Sequence, residues 1–178
     1  MSVDGPDPLR WDSYGPRHTY RIGEALGRAC KAGEVIVLEG PLGAGKTALA
    51  QGIAAGLGVT SVVTSPTFTI LKEYQGRLAL AHFDFYRVDP ARAVDLEFAD
   101  YLTSQGVCVV EWASRVPHVV PPEHLLITLA YDPAAPDRRH LCAVAHGSAA
   151  LALLDALRDA APAREGDDGL TIDDGHVG

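Results

Sequence analysis

The hydrophobic positions of this chain fall into two alternating patterns. Residues 35–38 and 107–110 are unbroken apolar runs rich in β-branched side chains, which predict buried strands. Between residues 22 and 30, apolar side chains recur at every fourth position, and this spacing predicts a helix with Thr19 as its N-cap. A second helix is predicted over residues 49–57, where a glycine follows the last periodic position.

The remaining patterns continue this alternation. Further strands are predicted over residues 62–63, 68–71, 78–83, 125–129 and 141–144, and further helices over residues 90–101 and 151–157. The last two strands are predicted to pair across a polar loop that contains Pro133, Pro136, Arg138 and Arg139. Strands that alternate with helices predict a layered α/β fold with a largely parallel central sheet and extra antiparallel strands.

The 178 residues divide by composition into one domain with loose ends. Residues 1–13 are predicted to be a loose segment, residues 14–160 one domain, and residues 161–178 a disordered acidic tail. The formal net charge is -8. Five acids and one Arg in residues 163–178 account for half of it, so the body is only mildly acidic. This composition disfavours a protein whose main task is to grip nucleic acid or an anionic membrane.

Cysteine usage and the N-terminus predict a cytoplasmic protein. The 3 cysteines are widely spaced, which favours buried free thiols over a disulfide framework or a metal site. The first nine residues lack the basic and apolar regions of a secretory signal. Residues 47–71 are uncharged, but their glycines, proline and hydroxyl side chains do not fit a membrane span.

The strongest chemical signal is GPLGAGKT at residues 40–47, which has the G-x-x-x-x-G-K-[ST] spacing of a phosphate-binding loop. It lies between a predicted strand and a predicted helix. Glycines there let backbone N–H groups turn toward phosphates, and the helix N-terminus adds positive potential. Lys46 is expected to reach the β- and γ-phosphates, and Thr47 to offer its hydroxyl to Mg²⁺. The alternative is an ordinary flexible turn with an exposed lysine.

Two acidic residues follow predicted strands and are candidates for metal chemistry. Asp84 ends the strand at 78–83, and Glu111 ends the strand at 107–110. Ligands of open parallel sheets bind beyond the carboxyl ends of the strands. Either acid could hold Mg²⁺ or orient an attacking water, and the sequence does not divide these roles. The alternative for each is a helix cap or a solvated turn.

Residues 65–69, with the sequence SPTFT, follow the phosphate-loop helix at a place where nucleotide switches carry a threonine loop. Ser65, Thr67, Phe68 and Thr69 are therefore candidates for a switch-like loop; the alternative is a turn held by hydroxyl side chains. His82 is better explained as a structural residue than as a catalytic base, because phosphoryl transfer depends mainly on positioning and electrostatics.

Four motifs together resemble one family. GPLGAGKT at 40–47, SPTFT at 65–69, HFDFYR at 82–87 and VVEW at 109–112 occur in the order and approximate spacing of the TsaE family. The similarity extends from about residue 19 to residue 147. Members of that family are bacterial ATPases required for the threonylcarbamoyladenosine modification of tRNA. The resemblance implies a three-layer, P-loop NTPase-like domain, with ATP as the substrate and Mg²⁺ as the cofactor.

The resemblance also implies functional residues. The implied ATP-binding residues are Thr19, Gly43, Ala44, Gly45, Lys46, Thr47, Ala48, Arg138 and Arg139, the last two as alternatives for one contact. Lys46, Asp84 and Glu111 are implied as catalytic, and Thr47, Asp84 and Glu111 as the residues near Mg²⁺. Trp112 would adjoin the site.

One position departs from the family, because Pro41 stands where an acid usually follows the first loop glycine. Proline removes one N–H, but the donors of residues 43–47 remain. The implied partners are a TsaD-like threonylcarbamoyl transferase and a TsaB-like subunit, with tRNA reached indirectly and no membrane.

Two other functions are compatible with the same loop. A small-molecule kinase would need an acceptor pocket and a basic lid, and the sequence has no clear arginine-rich lid. A nucleotide-gated interaction module would bind nucleotide with negligible turnover. For the ATPase itself, slow intrinsic hydrolysis is expected, because no obvious arginine finger occupies a matched position; Arg87 is the candidate.

Overall fold

The computed structural model describes residues 7–66, 69–89, 101 and 105–160. The strands are β1 Leu9–Ser13, β2 Val35–Glu39, β3 Leu71–Tyr74, β4 Leu80–Asp84, β5 Val107–Glu111, β6 His124–Asp132 and β7 Ala135–His146. The helices are α1 Pro16–Ala29, α2 Lys46–Gly56 and α3 Ser148–Ala160. All seven strands belong to one sheet with the order β1-β7-β6-β2-β5-β4-β3.

The centre of the sheet is parallel and its margins are antiparallel. Strands β6, β2, β5 and β4 run side by side in the same direction, whereas β7, β1 and β3 join antiparallel. Leu38 of β2 and Asp84 of β4 both pair with Glu111 of β5, so three strands end at the same level. The prediction of an α/β fold with a largely parallel centre and extra antiparallel strands is confirmed.

The two faces of the sheet are covered differently. Helices α1, α2 and α3 pack on one face, where their leucines and isoleucines bury the apolar side chains of the central strands. The other face is covered by residues after β4 and by two 3₁₀ turns, Ala113–Arg115 and Pro117–Val119. The described residues show no helical layer there. Apart from Tyr101 at its end, the helix predicted over residues 90–101 lies outside the described residues.

Helices α1 and α2 approach each other closely through glycines. A Cβ built on Gly27 would lie 2.1 Å from the carbonyl oxygen of Ile53, and one built on Gly52 would lie 2.0 Å from that of Tyr20. No side chain fits at these distances without movement of the backbone. This contact brings α1 against the helix that follows the glycine-rich loop.

We expect Gly27→Ala to lower the free energy of unfolding by about 2 kcal/mol, as overpacking of a close contact does. The added methyl group must push α1 away from Ile53, and the helix propensity of alanine offsets only part of that cost. Denaturant unfolding measures the change. Arg28→Ala on the exposed side of the same helix should alter stability by less than about 0.5 kcal/mol, and equal effects would contradict the packing argument.

The ends of several elements differ from their predictions. Residues 9–13 are not loose, because β1 pairs with β7 along its whole length. Helix α1 begins at Pro16 with Gly15 as its N-cap, so the assignment of Thr19 as N-cap is wrong. Pro16 is the sequence signal for this start, because the fixed φ of proline suits the first turn of a helix. Residues 62–63 lie outside any strand. The glycine stop after α2 is confirmed, since the N–H groups of Gly58 and Val59 donate to carbonyls of the last turn.

The connection between β6 and β7 is much shorter than predicted. Strand β7 begins at Ala135, so Pro136, Arg138 and Arg139 lie in the strand and not in a polar loop. Polar side chains occur at the start of this strand because residues 135–140 are exposed or only partly buried. Arg139 is paired with Tyr131 of β6 and Ser13 of β1, whereas Arg138 lies beside a shift in the register between β6 and β7.

The cysteines are free, and two of them are buried as predicted. Cys30 and Cys108 are buried, and Cys142 is partly exposed. Burial raises the pKa of Cys108 to about 12 and raises that of Cys30 even further. Both buried thiols therefore stay protonated and unreactive near neutral pH.

Candidate functional site

The glycine-rich loop of residues 40–47 joins β2 to α2. Gly40, Gly43 and Gly45 have φ values of +140°, +77° and +103°, which residues other than glycine rarely adopt. A Cβ on Gly40 would also lie 2.3 Å from the carbonyl oxygen of Leu129 on the adjacent strand. Gly45 is the N-cap of α2 and supplies no side chain to cap the helix. The loop therefore leads into a helix N-terminus whose first N–H groups have no side-chain cap.

Lys46 turns back over this loop. Its Nζ donates hydrogen bonds to the carbonyl oxygens of Gly40 (2.7 Å) and Pro41 (2.9 Å). The same Nζ lies 4.1 Å from the centre of the Trp112 ring, within the range of a cation–π contact. Lys46 is 5% exposed, so it is not the exposed lysine of an ordinary flexible turn.

Burial sets the electrostatics of this lysine. Desolvation lowers the pKa of Lys46, and the negative charges of Glu111, Glu39 and Asp84 act in the opposite direction. The buried ammonium thus carries a desolvation cost that the nearby carboxylates only partly offset. An anion bound at the loop would favour the protonated form further.

Two carboxylates lie side by side at the carboxyl ends of the central strands. Asp84 and Glu111 are register partners and are 4% and 3% exposed. The Ser65 hydroxyl donates to Asp84 Oδ2 and the Tyr86 N–H donates to Asp84 Oδ1, both at 2.8 Å. His82 Nε2 lies 2.9 Å from Glu111 Oε1. The prediction that each of these acids ends a strand is confirmed, and the sheet order shows that the two strands are neighbours.

Glu39 at the end of β2 holds the chain that follows Glu111. It accepts a hydrogen bond from the Ser114 N–H (2.7 Å) and another from the Ser114 hydroxyl (3.2 Å). Between Glu111 and Ser114, the backbone of Trp112 has φ +60°, a conformation that costs free energy for a bulky residue. The strained backbone places the Trp112 ring over Lys46. Glu39 was not predicted as a site residue.

Thr19 lies inside the first turn of α1 and against the loop. Its Oγ1 is 2.6 Å from the Ser13 hydroxyl and 3.2 Å from the Gly15 carbonyl oxygen. A Cβ built on Gly45 would lie 3.7 Å from Thr19 Cγ2. The fold therefore brings Thr19 beside the loop although it is not an N-cap.

The tip of the β6–β7 hairpin reaches the outer side of the loop. The Tyr131 hydroxyl donates a hydrogen bond to the Leu42 carbonyl oxygen, and Arg139 stacks on the Tyr131 ring at 4.7 Å. Arg138 instead lies 5.0 Å from the Tyr14 ring centre. The two arginines, which the sequence did not distinguish, thus occupy different aromatic environments. Tyr131 itself was not predicted, because only the sheet order brings it to the loop.

We expect Tyr131→Phe to weaken nucleotide binding about fivefold, since a net hydrogen bond contributes about 1 kcal/mol. The ring under Arg139 remains, and only the restraint on the Leu42 carbonyl is lost. Equilibrium titration with ATP measures the effect. Tyr20→Phe makes the same chemical change at a partly exposed position of α1, and an equal loss there would contradict a specific role of Tyr131.

The remaining predicted residues are placed as follows. Gly43, Ala44, Gly45, Thr47 and Ala48 belong to the loop and the first turn of α2, and the Thr47 side chain is exposed. Thr69 lies in a turn in which its N–H donates to the Pro66 carbonyl oxygen. Thr67 and Phe68 lie outside the described residues. Of the predicted switch-like loop, Ser65 has a described contact with an acid at the strand ends.

Residues 14–140 match the sequence profile of one protein family, described as "Threonylcarbamoyl adenosine biosynthesis protein TsaE". The chain belongs to the TsaE family. The resemblance carried by the four sequence motifs is confirmed. Proteins of this family take part in the threonylcarbamoyladenosine modification of tRNA.

Individual relatives cover most of the chain. The tRNA threonylcarbamoyladenosine biosynthesis protein TsaE of Bacillus subtilis (strain 168) is 43% identical over 141 residues, which are 79% of this chain and 87% of that protein. The protein of the same name from Treponema pallidum (strain Nichols) is 41% identical over 122 residues, which are 68% and 90% of the two chains. The crystal structure of Bacillus subtilis YdiB matches with a TM-score of 0.76 at 37% identity, covering 86% of this chain and 95% of that one.

No three His, Cys, Asp or Glu side chains of the described part of the chain are grouped to bind a metal ion by themselves. That finding is compatible with Mg²⁺, which proteins commonly hold with one or two carboxylates together with substrate phosphates. Among the same residues, no helix is long and apolar enough to cross a bilayer.

Proposed function

We propose that this member of the TsaE family is a Mg²⁺-dependent ATPase of the P-loop type that supports N6-threonylcarbamoyladenosine formation on tRNA. The observation that carries the proposal is the buried Lys46, which lies on the glycine-rich loop and against the Trp112 ring. Burial lowers the pKa of this lysine, and the acids at the strand ends partly oppose that shift. A cation here is positioned for an anionic ligand and not for solvent.

The loop residues fit a triphosphate. The left-handed glycines and the uncapped N-terminus of α2 leave backbone N–H groups for phosphate oxygens. Lys46 would exchange the carbonyl oxygens of Gly40 and Pro41 for phosphate oxygens. Thr19 and the hairpin arginines, Arg138 and Arg139, are proposed as further contacts to the nucleotide.

The acids and Thr47 fit a hard cation. Thr47 offers a hydroxyl, and Asp84 and Glu111 offer carboxylate oxygens, the ligand type that Mg²⁺ prefers. When bound, Mg²⁺ would neutralise phosphate charge and polarise the γ-phosphoryl group. Asp84 and Glu111 would hold the cation or orient the attacking water, and Ser65 would hold Asp84 in place.

The pathway suggests the partners. We propose that ATP turnover serves a TsaD-like threonylcarbamoyl transferase with a TsaB-like subunit, in the cytoplasm, where tRNA is modified. The mildly acidic body fits a protein that reaches tRNA through these partners rather than by its own basic surface.

An assay of ATP consumption by the purified protein tests the proposal. It is run with and without Mg²⁺, and with and without the transferase and its TsaB-like subunit. We expect slow Mg²⁺-dependent release of phosphate that rises with the partners and accompanies tRNA modification. Transfer of phosphate to a small metabolite would instead indicate a kinase. Binding of ATP without turnover in any mixture would indicate a nucleotide-gated module.

A further inference from the structure

A buried histidine, His82, lies next to the two acids at the strand ends, two residues before Asp84 on β4. His82 and Asp84 are two residues apart on β4, and their register partners on β5 are Val109 and Glu111. Side chains two residues apart on a strand point to the same face, so all four share the helix-bearing side of the sheet. His82 is 0% exposed. Its ring therefore lies behind Asp84 and Glu111 and has no surface of its own at which a substrate could bind.

The two ring nitrogens of His82 have different surroundings. Nε2 lies 2.9 Å from Glu111 Oε1, and within the described part of the chain Nδ1 is buried without a hydrogen-bond partner. An ionised carboxylate can only accept, so Nε2 must carry the proton. Leaving Nδ1 unpaired costs free energy that an apolar side chain would avoid. The hydrogen bond to Glu111 is what an imidazole adds at this place.

The contact restrains one oxygen of Glu111. The described residues provide no other hydrogen bond to this carboxylate, so Oε2 is left for a ligand. Asp84 is held comparably by Ser65 and Tyr86, both neutral donors. Hydrogen bonds from such donors fix the orientation of a carboxylate toward a cation that binds nearby.

We propose that His82 is a positioning residue that orients Glu111 toward the metal or the attacking water through an Nε2–H hydrogen bond. This inference rests on the proposed Mg²⁺-dependent ATPase. It assigns His82 a role in the reaction that does not require the histidine to touch the nucleotide or to change its protonation state.

Two substitutions separate positioning from packing. His82→Phe keeps an aromatic ring and removes both the donor and the unpaired nitrogen, whereas His82→Gln keeps an N–H near the Nε2 position. We expect His82→Phe to raise the Mg²⁺ concentration for half-maximal ATP turnover about 10- to 100-fold, as loss of an outer-shell partner does. Nucleotide affinity in EDTA should stay within about twofold, because the loop and Lys46 are untouched, and His82→Gln should recover most of the loss.

The opposite pattern would overturn the inference. If His82→Phe lowered nucleotide affinity equally with and without Mg²⁺, His82 would be a packing residue. If the Mg²⁺ dependence of His82→Phe matched that of the wild type, His82 would not be needed to orient Glu111. Should the wild-type protein show no Mg²⁺-dependent ATP turnover, the proposed function would fail first and the inference with it. A wild-type protein that turns over ATP beside an unaltered His82→Phe variant would refute the inference alone.

A measurement without nucleotide gives a second readout, which holds even if His82→Phe fails to fold. Nitrogen-15 NMR of labelled histidines distinguishes the two neutral tautomers in the free wild-type protein. We expect the His82 signals, assigned with His82→Gln, to show a proton on Nε2. An Nε2 that carries no proton would rule out the hydrogen bond to Glu111 and with it the proposed role.

Discussion

Lys46→Met is expected to reduce ATP turnover by about 10²- to 10³-fold, the loss typical when a preorganised electrostatic donor is removed from a transition state. Methionine has an unbranched side chain of similar length, so the packing of a nearly buried side chain is largely preserved. What disappears is the ammonium group that the loop carbonyls of Gly40 and Pro41 hold in place. Steady-state phosphate release measures the effect.

The same substitution should leave the fold intact or slightly more stable. Desolvation lowers the pKa of Lys46, so the buried charge opposes folding when no anion is present. Lys31→Met, at an exposed lysine after α1, is the matched control and should retain wild-type turnover. Unchanged turnover in Lys46→Met would show that the glycine-rich loop does not bind the reacting phosphates.

Asp84→Asn is expected to lower Mg²⁺-dependent turnover by about 100-fold while the protein remains folded, because the charge stabilisation that a metal site supplies amounts to several kcal/mol. The amide oxygen can still accept from the Tyr86 N–H, and the Ser65 hydroxyl can rotate to accept from the new NH₂ group. These two hydrogen bonds are thereby kept, while the negative charge is removed.

The metal dependence of Asp84→Asn separates its role from that of Lys46. Binding of ATP in EDTA should be as tight as in the wild type, or tighter, since a negative charge near the phosphates is gone. Asp159→Asn, an exposed position on α3, serves as the control for the same chemical change. Wild-type Mg²⁺ dependence in Asp84→Asn would exclude this carboxylate from the metal site.

Local signals were sufficient for the elements whose chemistry is encoded in neighbouring residues. The apolar runs of β2 and β5 and the loop between β2 and α2 are read directly from adjacent positions, and a parallel sheet places Asp84 and Glu111 together. The limits of local reasoning are visible at β1 and at Pro136 in β7. Residues 9–13, after a Pro/Asp-rich start, and the polar residues 135–139 resemble loops by composition, but both segments lie in strands of the sheet.

The sequence by itself determined the glycine-rich loop, the alternation of strands and helices in the centre of the fold, and the family, because spacing over a few residues dictates local backbone conformation. Only the tertiary structure decided which distant side chains meet. Tyr131 reaches the loop across the sheet, Glu39 holds Ser114, and His82 lies beneath Glu111. These contacts join residues 29 to 89 positions apart. Strand order and register create them, and those depend on how the whole apolar surface is buried and not on any local pattern.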